Sequence, residues 1–261
     1  MDGTLIGKDE QLPAGVAGLV DELEGRGIRF SIATGRSEDF MAPYAAAMGL
    51  RCPYIASNGA TLMDGPRALR RKQFPIAQVR TVLQTAEDMG FSLIFTSNGV
   101  DRIPRLTPWI EKEGRKYGKT YVAEPFTEAD WAAYRIEKVL IMDDVRDGRI
   151  GAIEALCKTT PGDFSYVRYR DKAVELMERT ATKATALEEL ARLLDIPMGD
   201  ILAVGDDDND IQMFQLAGVS AAVSNVSDNA RPFAHYVCSR PRFDGVLEAV
   251  ARFCPAEGAG P

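Results

Sequence analysis

Short apolar runs that stop at a glycine or a polar cluster alternate along this chain with stretches of helical period. Val16, Leu19, Val20 and Leu23 share one face of the stretch 13–26, which predicts an amphipathic helix ended by Gly27. Residues 28–33 predict a strand, 37–48 a second helix closed by Gly49, and 53–57 a short strand. The pattern resumes late in the chain, with a helix over 182–194, a strand over 201–204 and a helix over 211–216. A strand over 218–223, a short strand over 236–238 and a final helix over 245–253 follow. Such alternation calls for parallel strands joined by right-handed crossovers, an α/β fold with a Rossmann-like doubly wound parallel sheet.

The middle of the chain has another character. A helix is predicted over 76–89 and a strand over 91–96, followed by a loop-rich aromatic stretch with Trp109, Tyr117, Tyr121 and Trp131. A strand within 134–142, a helix over 147–158 and strands over 164–168 and 173–177 complete it. This is an α+β cap with an antiparallel flavour. The expected organisation is a core of residues 1–72 and 180–261 with a cap of residues 73–179 inserted into it. The basic run Arg67, Arg70, Arg71 and Lys72 near the crossing point reads as a solvated turn, or less often as a place where one arginine meets an anionic substrate. The Gly/Ala/Pro-rich tail over 255–261 reads as frayed.

Polar groups gather where the core strands end. Ile201-Leu-Ala-Val-Gly205 runs into Asp206, Asp207, Asp208 and Asp210, and open α/β sheets bind ligands at the carboxyl ends of their strands. So many carboxylates repel one another unless a cation or water intervenes, and an all-oxygen set suits a hard cation such as Mg2+. A calcium loop is excluded, because Ile211 stands where such a loop needs Gly and Ala217 where it needs Glu. For Asp207 and Asp208 the plainer role is to cap the next helix. Thr34 with Gly35 follows the 28–33 strand, and Lys183 opens the 182–194 helix. Taken singly, Thr34 reads as a helix-start residue and Lys183 as a surface lysine. Together, hydroxyl, backbone N–H, amine and carboxylates are what a phosphoryl group needs. No G-x-x-x-x-G-K-[ST] loop is present, so a P-loop nucleotide site lacks its cradle.

Composition narrows the choice. An apolar share of 46% and a charged share of 26% are those of a globular protein. A net charge of −7 argues against a nucleic-acid or membrane-surface partner, and no run approaches the ~20 apolar residues of a membrane span. No signal peptide is visible. Cys52, Cys157, Cys238 and Cys254 lack metal-ligand spacing and read as free thiols of a reduced, cytoplasmic setting. The single histidine, His235, beside a short strand, is given no catalytic role.

In order and spacing, Asp2-Gly3-Thr4-Leu5, Ala33-Thr34-Gly35-Arg36, Ser57-Asn58-Gly59-Ala60, Lys183 and Gly205-Asp206-Asp207-Asp208-Asn209-Asp210 resemble the motifs of the haloacid-dehalogenase-like phosphatases. Ser224-Asn225 and Phe243-Asp244-Gly245-Val246 extend the likeness to the Cof-type branch, whose large α/β cap lies between the second and third motifs. The resemblance implies that Asp2 is the general acid and base and that its main-chain carbonyl ligates Mg2+. It implies Asp206 as a direct metal ligand, with Asn209 and Asp210 holding the metal's waters, the phosphate or Lys183. Thr34 and Gly35 would take phosphate oxygens, Lys183 would neutralise charge on the nucleophile, and Arg36 and Asn58 would line the cleft. Ala184 replaces a frequent glycine, with little effect expected.

One departure is serious. The first motif of this family is Asp-x-Asp-Gly-Thr, and counting back two from Asp2 lands before Met1. The nucleophilic aspartate, with the central strand that carries it, is therefore expected upstream of this sequence. Residues 1–261 alone are expected to be impaired, with a gap in the sheet that another segment fills or that drives self-association. The implied activity is hydrolysis of a small phosphorylated metabolite, a sugar phosphate favoured, through a phospho-aspartate. A phosphomutase or a catalytically dead phospho-ligand-binding protein is the alternative.

Overall fold

The computed structural model describes residues 1–7 and 9–255; most of the tail read as frayed, 256–261, lies outside the described residues. Two compact units are formed, one of Met1–Arg36, Phe40–Leu69 and Thr182–Pro261, the other of Ser37–Asp39 and Arg70–Ala181.

In chain order, the first unit begins with α1 (Val16–Gly25), most of α2 (Glu38–Met48), β1 (Tyr54–Ala56), β2 (Thr61–Asp64) and the first three residues of β3 (Arg67–Arg71). α1 buries Val16, Leu19, Val20 and Leu23, the face its periodicity predicts. The second unit carries β4 (Phe74–Pro75), α3 (Arg80–Asp88), β5 (Ser92–Ser97), β6 (Val100–Arg102), α4 (Pro108–Tyr117), α5 (Glu128–Ala133) and β7 (Arg135–Ile136). It continues with β8 (Lys138–Met142), α6 (Ile150–Thr159), β9 (Phe164–Tyr169) and β10 (Ala173–Glu178). The chain then returns to the first unit with α7 (Lys183–Leu193), β11 (Leu202–Gly205), α8 (Ile211–Leu216), β12 (Val219–Ala222), β13 (Tyr236–Val237) and α9 (Arg242–Phe253).

In the first unit, β11, β12 and β13 pair in parallel, with Leu202 opposite Val219 and Ala221 opposite Tyr236. The predicted strand 28–33 forms only an isolated parallel bridge, Ala33 to Ile55, and not a ladder. Ladder pairing needs a neighbour along its whole length, and β1 offers three residues. The chain from Met1 to Ile6 is a tight turn in which the Met1 carbonyl accepts from the N–H groups of Thr4, Leu5 and Ile6. Segment 28–33 and β11 both line an apolar cavity of ≈ 430 Å³, together with Met1, Leu187 and Val250.

In the second unit, the sheet runs β6-β5-β8-β10-β9 with antiparallel pairing. Its buried core includes Phe74, Phe91, Phe95, Val139, Ile141 and Trp131, the last stacked on Phe126 at 4.7 Å. Two sequence expectations are corrected here. The basic run is not a turn: Arg67–Arg71 is strand β3, and Arg71 reaches the Glu38 carboxylate at 2.7 Å and the buried Glu137 at 3.4 Å. The aromatic stretch is not loop-rich throughout, since α4 and α5 lie within it. Both open on good caps: the Thr107 hydroxyl accepts from the Ile110 N–H at 3.3 Å, and Thr127 forms a capping box with Asp130. α9 also starts three residues earlier than its periodicity suggests, with Pro241 at its N-cap.

Candidate active site

Chain-distant polar side chains of the first unit meet at the carboxyl end of β11. Lys183, the first residue of α7, is buried, and its Nζ donates to Asp210 Oδ1 at 2.6 Å. The other oxygen of Asp210 accepts the N–H of Asp206 at 2.9 Å and of Asp207 at 3.2 Å. A carboxylate so engaged fixes both the β11–α8 turn and the lysine. Burial pushes the Asp210 carboxyl upward, but the charge of Lys183 and these hydrogen bonds overcome it and hold it below the ordinary aspartate range.

The approach of Lys183 depends on a glycine. Gly59 has φ +95°, and a Cβ there would lie 2.0 Å from the Thr182 carbonyl oxygen. Only glycine allows the turn after β1 to touch the start of α7 this closely. Thr182 itself caps α7, its hydroxyl accepting from the Thr185 N–H at 3.0 Å.

The same turn carries Asn58, in left-handed conformation at φ 53°. Its N–H donates to the Thr34 carbonyl at 2.9 Å, and its Oδ1 accepts from Asn209 Nδ2 at 3.0 Å. Thr34 is almost fully buried, and its hydroxyl accepts from the Arg36 N–H at 3.1 Å. A Cβ on Gly35 would stand 3.1 Å from Asn58 Oδ1. Gly3 sits closer still to the acidic cluster, since a Cβ there would lie 1.9 Å from Asp206 Oδ2. Lys183, Asp210 and Asp206 are thus hydrogen-bonded together, and Asn209, Asn58, Thr34 and Arg36 form a second series of hydrogen bonds, with Gly35 beside Asn58.

Asp2 differs from its expected state. Arg36 grips its carboxylate, Nε lying 3.1 Å from Oδ1 and 3.0 Å from Oδ2, and Arg36 also pairs with Glu10. Burial raises the Asp2 carboxyl, but the Arg36 hydrogen bonds and charge outweigh it and leave it below the ordinary range. As arranged, Asp2 is an ion-paired carboxylate, whereas a general acid must hold a proton.

Asp206 is the opposite case. Burial, helped by the nearby charges of Asp210 and Asp207, pushes it up to about 6, against the hydrogen bond it accepts from the Thr4 hydroxyl at 2.6 Å. A carboxylate that resists ionisation among other carboxylates has the chemistry of a cation ligand. Asp210 fits that role poorly, because both of its oxygens are engaged by Lys183 and main-chain N–H groups. Among the described residues, no cluster of three or more His, Cys, Asp or Glu is arranged to hold a metal. Asp206 thus fits a Mg2+ site as one member of a set that these side chains do not complete.

The sequence reading missed several supports. Thr4 orients Asp206, Asn225 Nδ2 donates to the Gly3 carbonyl at 2.9 Å, and Ser227 and Asn229 donate to the two oxygens of Asp208 at 2.7 and 2.9 Å. Asp207 caps the turn before α8, as its position suggests. His235 accepts the Ser220 N–H on Nδ1 at 3.1 Å, a structural bond.

Comparison with known proteins gives concordant results. A family model described as haloacid dehalogenase-like hydrolase matches residues 1–250. The chain is 27% identical to a phosphoglycolate phosphatase of Haloarcula marismortui, over 97% of this chain and 94% of that one. It is 24% identical to the 5-amino-6-(5-phospho-D-ribitylamino)uracil phosphatase YcsE of Bacillus subtilis, over 96% and 92%. A haloacid dehalogenase-like hydrolase from Bacteroides thetaiotaomicron superposes with a TM-score of 0.83 at 22% identity, over 96% and 97%. A subclass IIB sugar phosphatase of the same superfamily superposes at 0.81 and 19%, over 97% of both chains. At those identities the structural likeness establishes the α/β fold.

Proposed function

We propose that this chain, which belongs to the haloacid dehalogenase-like hydrolase family, hydrolyses the phosphomonoester of a small metabolite, with a sugar phosphate favoured. The observation that carries this reading is the buried Lys183–Asp210 pair set beside Asp206 and the Thr34–Asn58 turn. It brings a fixed positive charge and hydrogen-bond donors to one strand end, where a transferring phosphoryl group concentrates negative charge. Relatives named as phosphatases of phosphoglycolate and of a phosphoribityl compound support the substrate class.

Each group then has a task. Lys183 neutralises charge on the phosphoryl oxygens, held in place by Asp210. The Thr34 hydroxyl and the Gly35 N–H donate to those oxygens. Asp2 donates a proton to the leaving alkoxide and later removes one from the attacking water, which requires Arg36 to release it. Mg2+, when bound by Asp206, the main-chain carbonyl of Asp2 and waters held by Asn209, supplies further charge neutralisation. The attacking carboxylate belongs two positions before Asp2 in the motif, a position that residues 1–261 do not include.

The test is release of inorganic phosphate from a panel of phosphorylated metabolites with and without Mg2+. It is run on residues 1–261 alone and on the same chain with an apolar strand ending in Asp-Met fused in place of Met1. Mg2+-dependent phosphate release from the fused form, at least a hundredfold above residues 1–261, is expected. An isomerised phosphate ester would instead identify a mutase. Binding without turnover in both forms would identify a phospho-ligand sensor.

A further inference from the structure

A buried carboxyl of the second unit lacks the partner that its burial calls for. Glu137 is fully buried. Its Oε1 accepts from Gln73 Nε2 at 2.9 Å and stands 3.4 Å from Arg71 Nη1. Among the described residues, its Oε2 is buried and meets no hydrogen-bond partner. Arg71, at the end of β3, is turned mainly to another acid: its Nη2 donates to the two oxygens of Glu38 at 2.8 and 2.7 Å. Glu38 packs in turn on the bend between β5 and β6, where Gly99 has φ +80° and a Cβ would collide with the Glu38 carboxylate. Asn98 of that bend accepts from Gln73 at 3.1 Å. The cations flanking Glu137 in the chain lie on other partners, Arg135 on the Gln73 carbonyl at 2.8 Å and Lys138 on Glu175 at 2.7 Å. Glu38, Arg71, Gln73, Asn98, Gly99 and Glu137 all belong to the second unit.

One guanidinium therefore stands between two acids. It cannot neutralise both when both are ionised, and a charge is costliest where water is excluded. Glu38 keeps 17% of its side chain exposed and can turn to solvent, whereas Glu137 keeps none. Burial accordingly raises the Glu137 carboxyl above the ordinary glutamate range, against its hydrogen bonds and the charge of Arg71.

We propose that Arg71 is a proton-controlled clasp. While Glu137 is protonated, Arg71 holds Glu38 against the Asn98–Gly99 bend. When Glu137 gives its proton to solvent, the guanidinium turns onto both Glu137 oxygens, which Nη1 already approaches, and Glu38 is released to water. The clasp is closed at low pH and open at high pH. Stability from the proton on Glu137 is complete below the ordinary glutamate range and is lost as pH rises through the raised value. The inference concerns the second unit and does not rest on the proposed hydrolysis.

The test is an NMR titration of residues 1–261 carrying 13C at the glutamate carboxyls, with hydrogen exchange at the Gly99 amide corrected for its intrinsic pH dependence. The Glu137 carboxyl should titrate at least about one unit above the exposed glutamates, a tenfold tighter hold on its proton. At the same midpoint the Glu38 signal should move and Gly99 exchange should quicken at least tenfold. Glu137→Gln should abolish both steps. Glu38→Gln should lower the Glu137 midpoint by about one unit, because Arg71 is then no longer shared and the coupling of the two acids is reciprocal. Steps at Glu38 and Gly99 that persist in Glu137→Gln would overturn the clasp, as would their absence from the unsubstituted chain. Should Glu137→Gln fail to fold, Glu38→Gln decides alone: an unmoved Glu137 midpoint means that the two acids do not compete for Arg71.

Discussion

Lys183 and Asp210 form the most deeply buried charge pair of the site, and their burial sets what a substitution does. Lys183→Met leaves Asp210 buried and unpaired, which costs about 3–5 kcal/mol. The double variant Lys183→Met, Asp210→Asn should recover much of that loss in denaturant unfolding, while phosphate release in the fused form stays at least a hundredfold down. Recovery of activity along with stability would remove Lys183 from the chemistry. Asp206 gives a pH signature. Its folded-state value, about 6, lies above its ordinary 3.8, so the folded chain holds this proton more tightly than the unfolded one. Stability from that proton is complete below about pH 4 and is lost as pH rises through 6. Asp206→Asn should therefore raise metal-free stability at pH 7.5, by at most about 3 kcal/mol, since each pH unit of displacement is worth about 1.4 kcal/mol. Mg2+ should raise the Tm of the unsubstituted chain at pH 7.5 more than at pH 4.5, and should not raise that of Asp206→Asn. These carboxylates were legible in the sequence because they crowd one strand end. The contacts of Thr4 and Asn225 were not, although both residues lie in the motif stretches, since a lone hydroxyl or amide carries no spacing that ties it to residues some two hundred positions away.

At the scale of elements, the start of α7 is where helix chemistry and site chemistry coincide. Thr182 caps the helix whose first residue is Lys183. Thr182→Ala should cost about 1 kcal/mol in stability and lower the kcat of the fused form as well, because the lysine loses its anchorage. Thr127→Ala removes the comparable cap of α5; urea unfolding should show a similar loss, with kcat unchanged. If both variants slow turnover equally, the cap of α7 has no special part in catalysis. Elements with a clear period, such as α1 and α7, could be read from apolar spacing alone. α4 and α5 could not, because their aromatic and charged residues obscure the period, although Thr107-Pro108 and Thr127 with Asp130 are cap signals in the sequence. Segment 28–33 was read as a strand from its composition, yet β structure is completed by neighbours, and here only Ala33 has a bridging one.

For the molecule as a whole, the main consequence is energetic. The lining of the apolar cavity of ≈ 430 Å³, which is open to solvent, forgoes the contacts that a filled interior would give it. The parallel architecture of the first unit was legible because strand and helix signals alternate. The hydrogen-bonding state of its inner edges was not, since it depends on which backbone groups meet across the fold.

Two sulfur atoms lie along that cavity. Cys52, whose thiol burial raises to about 11, and Cys254, also raised by burial, both line it, whereas Cys157, raised to about 12, sits in the core of the other unit. All three remain protonated at pH 8 and react slowly, so iodoacetamide labelling followed by mass mapping becomes a clock with its own internal reference. Alkylation of Cys52 and Cys254 should be slower in the fused form than in residues 1–261, and that of Cys157 should keep its pace; if all three slow together, the protection is global tightening and not local shielding.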